Sequence, residues 1–353
     1  MTTTPPPQSL PKRFIDAHHH FVDTRSGGEN AKTFQAFLAS LLPDEQYLPH
    51  QYTQDVVESL AQHGIVVCGS VHIECMPDDG VQEVAWLHQL SIDDSNCTVQ
   101  AIVASCDLTR PTVDDDLTQL VQVSTKVKGI RWILDCVGPF EPNTATHVGT
   151  LRHNGVDYLR GSHGGYDGDV VPEFEHGFAM LAKHHLSFDL QCAPAQLVQA
   201  AALCRRHANV PVVLDHMGKP RTVVGPDDTT NAEPNEAELL VWRLGMQAMA
   251  ELPHVHVKLS MLGYAVPGWI QSESRKALLK SLVQQVLGWF GPRRCMAALN
   301  WWKNEAVSDS DFLSSVGPTP VQYMEFLVTC LEGYSEEDCD RVFYGTAKEF
   351  YRM

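Results

Sequence analysis

Eight short runs of β-branched and apolar residues organise this chain, and a stretch of helical periodicity follows most of them. The runs read RFIDAH, GIVVCGSVHIE, TVQAIVASCDL, VKGIRWIL, LSFDLQ, VPVVLDHMG, VHVKLSML and RCMAALN. Between them lie helical patterns such as TQDVVESLAQHG, VQEVAWLHQLS, DDDLTQLVQVST, FEHGFAMLAKHH, APAQLVQAAALCRRH and SRKALLKSLVQQVLGWFG. Alternating strand and helix implies parallel strands joined by right-handed crossovers. Eight such units predict an α/β, TIM-like (β/α)8 barrel forming a single domain over residues 13–353. A doubly wound open sheet competes with it, but would more often carry a Gly-rich phosphate loop after its first strand, and DAHHHF is not one. Residues 1–12 are polar and Pro-rich and predict a disordered leader without a targeting signature.

Charge and cysteine usage narrow the partners. A net charge of −17 argues against nucleic acid or an anionic membrane, both of which need clustered Lys and Arg. No apolar run reaches the roughly 18–20 residues of a membrane span. The ten cysteines form no CxxC pair and read as reduced thiols, which favours a cytoplasmic setting. A small-molecule substrate is the expected partner, bound by a monomer or homodimer. Residues 136–172, with His147, His153 and His163, and residues 220–236 are long irregular connections after strands 4 and 6. Loops there predict lids over the barrel's C-terminal mouth, with a floppy surface insertion an equal alternative for 220–236.

Period-two alternation along the first strand predicts that Asp16, His18 and His20 share one face, with Ala17 and His19 on the other. Two imidazoles one residue apart can converge on a single ion. A lone HxH is weak evidence, but the end of a barrel's first strand is where barrel active sites lie. The other strands offer candidates at the same end: His72 and Glu74 on one face of strand 2, Arg131, Gln191, His216, Lys258 with Ser260, and Asn300. Each alone has a structural explanation: a hydrogen-bonded core residue for His72, a bridge to Asp135 for Arg131, a snorkelling side chain for Lys258. Their clustering at one end favours a site. His19 is expected to pack under the following loop or helix.

The segments FIDAHHHFVD, KGIRWIL, HGFAMLAKHHLSFDLQ, PVVLDHMGKP, VHVKLSMLG and VFYGTAKEFYRM resemble the amidohydrolase-related (amidohydrolase 2) family. Its nearest branch in these motifs is the group of metal-dependent TIM-barrel hydrolases that includes L-fuconolactonases and 2-pyrone-4,6-dicarboxylate lactonases. The resemblance runs from about residue 12 to the C-terminus. It implies a metallo-dependent hydrolase barrel that opens carbohydrate-derived or dicarboxylate lactones, some members using a divalent metal and others none. By resemblance, His18 and His20 match the paired histidines of strand 1, His216 the strand 6 histidine, and Arg131 the arginine after strand 4. Two positions depart from the pattern: Asn300 stands where relatives place an aspartate, with Asn304 near a later one, and Ala195 stands where they often read PHQL.

Three functions follow. In the first, a divalent metal, zinc foremost, sits on His18 and His20, completed by His216 or Glu74, and activates water against a lactone. Arg131 orients an anionic group of the substrate, and Asp16 orients a histidine from behind. Because an amide cannot take a proton from water, Asp215, Glu74 or His216 accepts it in place of Asn300. In the second, the enzyme is metal-free, and His18, His20, Arg131 and Lys258 polarise the carbonyl directly. In the third, a catalytically impaired barrel binds a small ligand, with Trp301 and Trp302 filling the pocket or stacking on a ring.

Overall fold

The computed structural model describes residues 9–25, 46–136, 156–161, 169–220, 223–224, 234–301 and 318–353. Eight strands form one sheet: β1 (Arg13–His19), β2 (Val66–Ile73), β3 (Val99–Ser105), β4 (Val127–Arg131), β5 (Ser187–Leu190), β6 (Val212–Leu214), β7 (Val255–Leu259) and β8 (Cys295–Ala297). They lie in chain order and every adjacent pair is parallel. The two edges meet at a seam. There Asn300 N donates to His18 O at 2.7 Å and His20 N to Trp301 O at 2.9 Å, with a parallel bridge between His19 and Trp301. The expected TIM-like barrel is the architecture of this chain.

Alternation along the strands builds two cores. Inward positions carry Ile15, Ala17, Val71, Ile73, Ala101, Val103, Val213, Met296 and Ala298, and Phe350 and Tyr351 from the C-terminal helical turns join the same cluster. Outward positions such as Phe14, Ile102, Ile130, Phe188, Leu214, Val257 and Cys295 pack on the surrounding helices. Burying each of the larger side chains stabilises the fold by about 1.5–3 kcal/mol. Because both faces are buried, the strands read as nearly continuous apolar runs.

Helices α1 (Gly80–Asp93), α2 (Val113–Val123), α3 (Pro172–Lys183), α4 (Leu197–Arg206), α5 (Glu236–Ala250), α6 (Glu273–Phe290) and α7 (Pro320–Cys330) surround the sheet. Side chains satisfy the first free amides of several: Asp79 for α1, Asn235 for α5, Ser272 for α6 and Thr319 for α7. Among the described residues no helix is long and apolar enough to cross a membrane. All ten cysteines are free thiols.

One irregularity in β1 matters for function. Asp16 pairs with Ser70 and His19 with His72, so Ala17 and His18 together oppose Val71 alone. Such a bulge shifts the alternation by one residue. Ile15 and Ala17 face inward below it, His18 faces inward above it, and Asp16 faces outward toward Tyr52, whose hydroxyl donates to Asp16 Oδ2 at 2.9 Å. The expected common face for Asp16, His18 and His20 is therefore corrected for Asp16.

Candidate active site

The site begins with an unusual turn. β6 ends at Leu214, and the chain then enters the single turn Asp215–Gly218. His216, Met217, Gly218 and Lys219 follow one another with φ of +54°, +54°, +69° and +53°. Left-handed backbone costs a non-glycine residue roughly 1–2 kcal/mol, so surrounding contacts must hold it. Trp242 Nε1 donates to Met217 O at 2.7 Å, and a side chain at 218 would meet Met246 Sδ at 2.6 Å. This turn carries two consecutive polar residues, Asp215 and His216, to the end of the barrel.

There they meet His18. Ligand atoms of His18, Asp215 and His216 all lie within 4.8 Å of one another, and all three residues are buried. His18 Nδ1 is 3.4 Å from Asp215 Oδ1, and the His18 and His216 ring centroids are 4.8 Å apart. His216 Nδ1 is held by Ser260 Oγ at 2.9 Å. His18 Nε2 has no hydrogen-bond partner among the described residues.

Two buried cations flank the trio. Lys258 Nζ donates to Asp189 Oδ2 at 2.5 Å, and lies 3.0 Å from Asp215 Oδ1 and 3.2 Å from His18 Nδ1. Tyr351 donates to the same Asp189 oxygen at 2.7 Å from below. Arg131 Nε donates to Glu74 Oε1 at 2.9 Å and Nη2 to Glu74 O at 2.6 Å, while Nη1 lies 3.7 Å from Asp215 Oδ2. Gln191 joins Arg131 Nη1 to Asp135, which Lys219 also pairs. Uncompensated burial would cost several kcal/mol per ion, so the pairing is what allows these charges inside.

The electrostatics sort the roles. Burial alone would push the Asp215 carboxyl up, but Lys258 and His18 more than offset it and hold it well below the usual carboxylate range. Burial, aided by the Lys258 charge, keeps the His18 imidazole well below its ordinary value. Burial brings His216 down to about 3, with Asp215 pulling the other way. Near neutral pH the trio is thus one carboxylate and two neutral imidazoles.

His20 stands apart from the trio, its ring centroid 5.0 Å from that of His18. Its Nδ1 bonds Ile73 O at 2.8 Å and its Nε2 faces Asn300 Oδ1 at 3.3 Å. Asn300 adopts φ +55° just beyond β8. Lys258 and Arg131 lie against the trio, Glu74 and Gln191 are joined to it through Arg131, and the Nε–Nη2 edge of the Arg131 fork is committed to Glu74.

Three expectations change. His72 does not share a face with Glu74: it lies between the inward Val71 and Ile73, accepts from Phe21 N at 3.1 Å, and packs near His19. Trp301, as the bridge partner of His19, shares that residue's outward face, near Tyr47 and Asp55, and is turned from the mouth. Asp16 touches the His18 backbone amide and not its ring. His19 does face away, against Phe21 and Tyr52. Alternation counted back from Gln191 would have found Asp189; nothing local pointed to Tyr351. Trp302, Asn304, His147, His153, His163, residues 1–8 of the leader and most of 220–236 lie outside the described residues.

The trio fits a divalent metal. Two imidazoles and a carboxylate are a common donor set for zinc and similar ions, and the buried unpartnered His18 Nε2 beside the Asp215 carboxylate is what such an ion satisfies.

Comparison with known proteins identifies the family and the fold. An L-fucono-1,5-lactonase from Burkholderia ambifaria is 25% identical over 354 residues, covering 96% of this chain and 95% of that protein. An L-fucono-1,5-lactonase from Burkholderia multivorans is 27% identical over 290 residues, covering 81% of each. The crystal structure of an amidohydrolase from Burkholderia multivorans with bound zinc superposes with a TM-score of 0.68 at 22% identity, covering 96% of this chain and 99% of that one. The amidohydrolase family model matches residues 15–353, from the first strand of the barrel to the last residue, and the chain belongs to that family.

Proposed function

We propose that this protein is a hydrolase that opens a small lactone, carbohydrate-derived or bearing a carboxylate. The observation that carries the reading is Asp215: a buried, ionised carboxylate grouped with two neutral imidazoles, ion-paired with Lys258 through Oδ1 and with Oδ2 3.7 Å from Arg131. The lactonase names of two relatives over most of the chain support the substrate class.

Asp215 takes the role that Asn300 cannot fill. It accepts a proton from the attacking water as the new C–O bond forms, and the carbonyl becomes an oxyanion. The positive charge of Lys258 and Arg131, packed against the trio in a dry site, favours that developing charge. Collapse of the tetrahedral species breaks the ring C–O bond, and the departing alkoxide recovers the proton from Asp215. Water and lactone give one hydroxy acid. His18, Asp215 and His216 would hold a divalent ion, zinc foremost, which when bound supplies a Lewis acid for the carbonyl and a water of lowered pKa.

A panel of aldonolactones and carboxylate-bearing lactones, followed by acid release, tests the reading. Wild type is expected to open at least one, and Asp215→Asn to lose about 10²–10⁴-fold in kcat. An Asp215→Asn variant with wild-type rates would remove Asp215 as the base. Tight lactone binding without turnover would leave the barrel a ligand-binding protein.

A further inference from the structure

Lys258 Nζ and Asp215 Oδ1 approach the same ring nitrogen of His18, at 3.2 and 3.4 Å. These two neighbours ask opposite things of it. An ammonium only donates, so with Lys258 on Nδ1 that nitrogen offers its lone pair and the neutral ring carries its proton on Nε2. A carboxylate only accepts, so with Asp215 on Nδ1 that nitrogen carries the proton and Nε2 is left with a free lone pair. Only the second arrangement lets Nε2 ligate a metal. Lys258 also places its own positive charge 3.0 Å from the single carboxylate of the trio. It is not free to swing away, because Asp189 and, through it, Tyr351 anchor the ammonium in a fully buried position.

We infer that Lys258 is a built-in competitor for the divalent cation, occupying the electrostatic place of the metal at His18 and Asp215 and setting the site's metal affinity low. It deepens the hydrolase reading above by naming what regulates metal occupancy of that same site. Removing the ammonium frees His18 Nδ1 for Asp215, leaves the Nε2 lone pair free, and leaves Asp215 with one cation fewer beside it.

Zinc affinity, measured by titration calorimetry on the full chain after chelation and dialysis, tests this without any lactone. Lys258→Met alone would strand the Asp189 carboxylate, so the Lys258→Met/Asp189→Asn double variant is measured beside it. The double variant is expected to bind one zinc at least about tenfold more tightly than wild type, and Lys258→Arg, which keeps the cation, to stay within about threefold of wild type. The gain must disappear when His18→Ala is added. An affinity equal to or weaker than wild type in the double variant overturns the inference, as does a gain that survives His18→Ala. A wild type that turns over no lactone would remove the hydrolase reading and leave this comparison intact.

Discussion

The Asp16 carboxylate accepts the amide of Leu299, 283 positions further along the chain, at 2.9 Å, and so fastens the first strand to the last. Its Oδ1 also takes His18 N at 3.2 Å, and its Oδ2 takes the Tyr52 hydroxyl. At the bulge the backbone ladder is broken, and this side chain replaces the missing carbonyls.

Asp16→Ala leaves two buried amides and a buried hydroxyl without their acceptor. At about 1–3 kcal/mol per unsatisfied group, the expected loss is at least about 3 kcal/mol. Asp16→Asn keeps an oxygen for the two amides, and burial already pushes the Asp16 carboxyl up to about 7, so the neutral amide should cost less than half as much. Urea unfolding of both variants checks this; equal midpoints for wild type and alanine would show that the seam is held elsewhere.

Acid should weaken the fold through its buried histidines. Burial holds His20, His72 and His216 at about 3, whereas the unfolded chain's imidazoles titrate near 6.5. Between those values the unfolded state takes up protons that the folded state refuses, so the histidines' contribution is complete above pH 6.5 and falls on acidification, exceeding the opposite contribution of Asp16 and Asp189, whose carboxyls burial raises to about 7 and about 6. At pH 5 the loss is about 2 kcal/mol per such histidine. A melting temperature that stays flat from pH 7 to 5 would contradict the neutral, buried state of these rings.

Asn300→Asp should be felt first at His20. With Nδ1 donating to Ile73 O, the neutral ring turns an Nε2 lone pair toward residue 300. An amide can answer it by presenting its NH2 group, which now lies on Met261 Sδ; a carboxylate has no proton to give. The histidine is then expected to bind one itself, raising its pKa by at least one unit from about 3. Asp tolerates the left-handed backbone at this position. NMR titration of His20 in the two proteins decides the matter, and an unmoved titration refutes it.

Tyr351→Phe removes a hydrogen bond to the buried Asp189 carboxylate. Bonds to charged groups contribute about 1.5–3 kcal/mol, so a loss of about 2 kcal/mol is expected. Tyr351→Ala should cost more, because the ring also fills the inner core beside Phe350. Chemical unfolding of the pair separates the two contributions; a phenylalanine variant as stable as wild type would mean that Lys258 alone satisfies Asp189.

Much of this was legible in the residues. Strand–helix alternation carried the barrel, and the family motifs carried His18 and His216. The outward turn of His19 followed from alternation. His72 was misplaced because Val71 and Ile73 beside it are as apolar as any outward residue, so hydrophobicity cannot say which face is which when both are buried. The Asp16 error has a different origin: a single extra residue in β1 leaves no compositional trace, yet reverses every side chain before it. The Lys258–Asp189–Tyr351 stack joins residues from three distant segments, and no spacing in the chain predicts such a contact.

The left-handed turn from His216 to Lys219 also bears on when the site's ordering cost falls due. Side chains on an ordinary flexible loop must be brought into position each time a substrate arrives, and the lost freedom weakens every binding event. Here the backbone strain is met once, during folding, by the same packing that makes the core, with Trp242 pinning the turn. Asp215 and His216 therefore stand oriented before any ligand enters, and the entropy of aligning them is absent from each turnover.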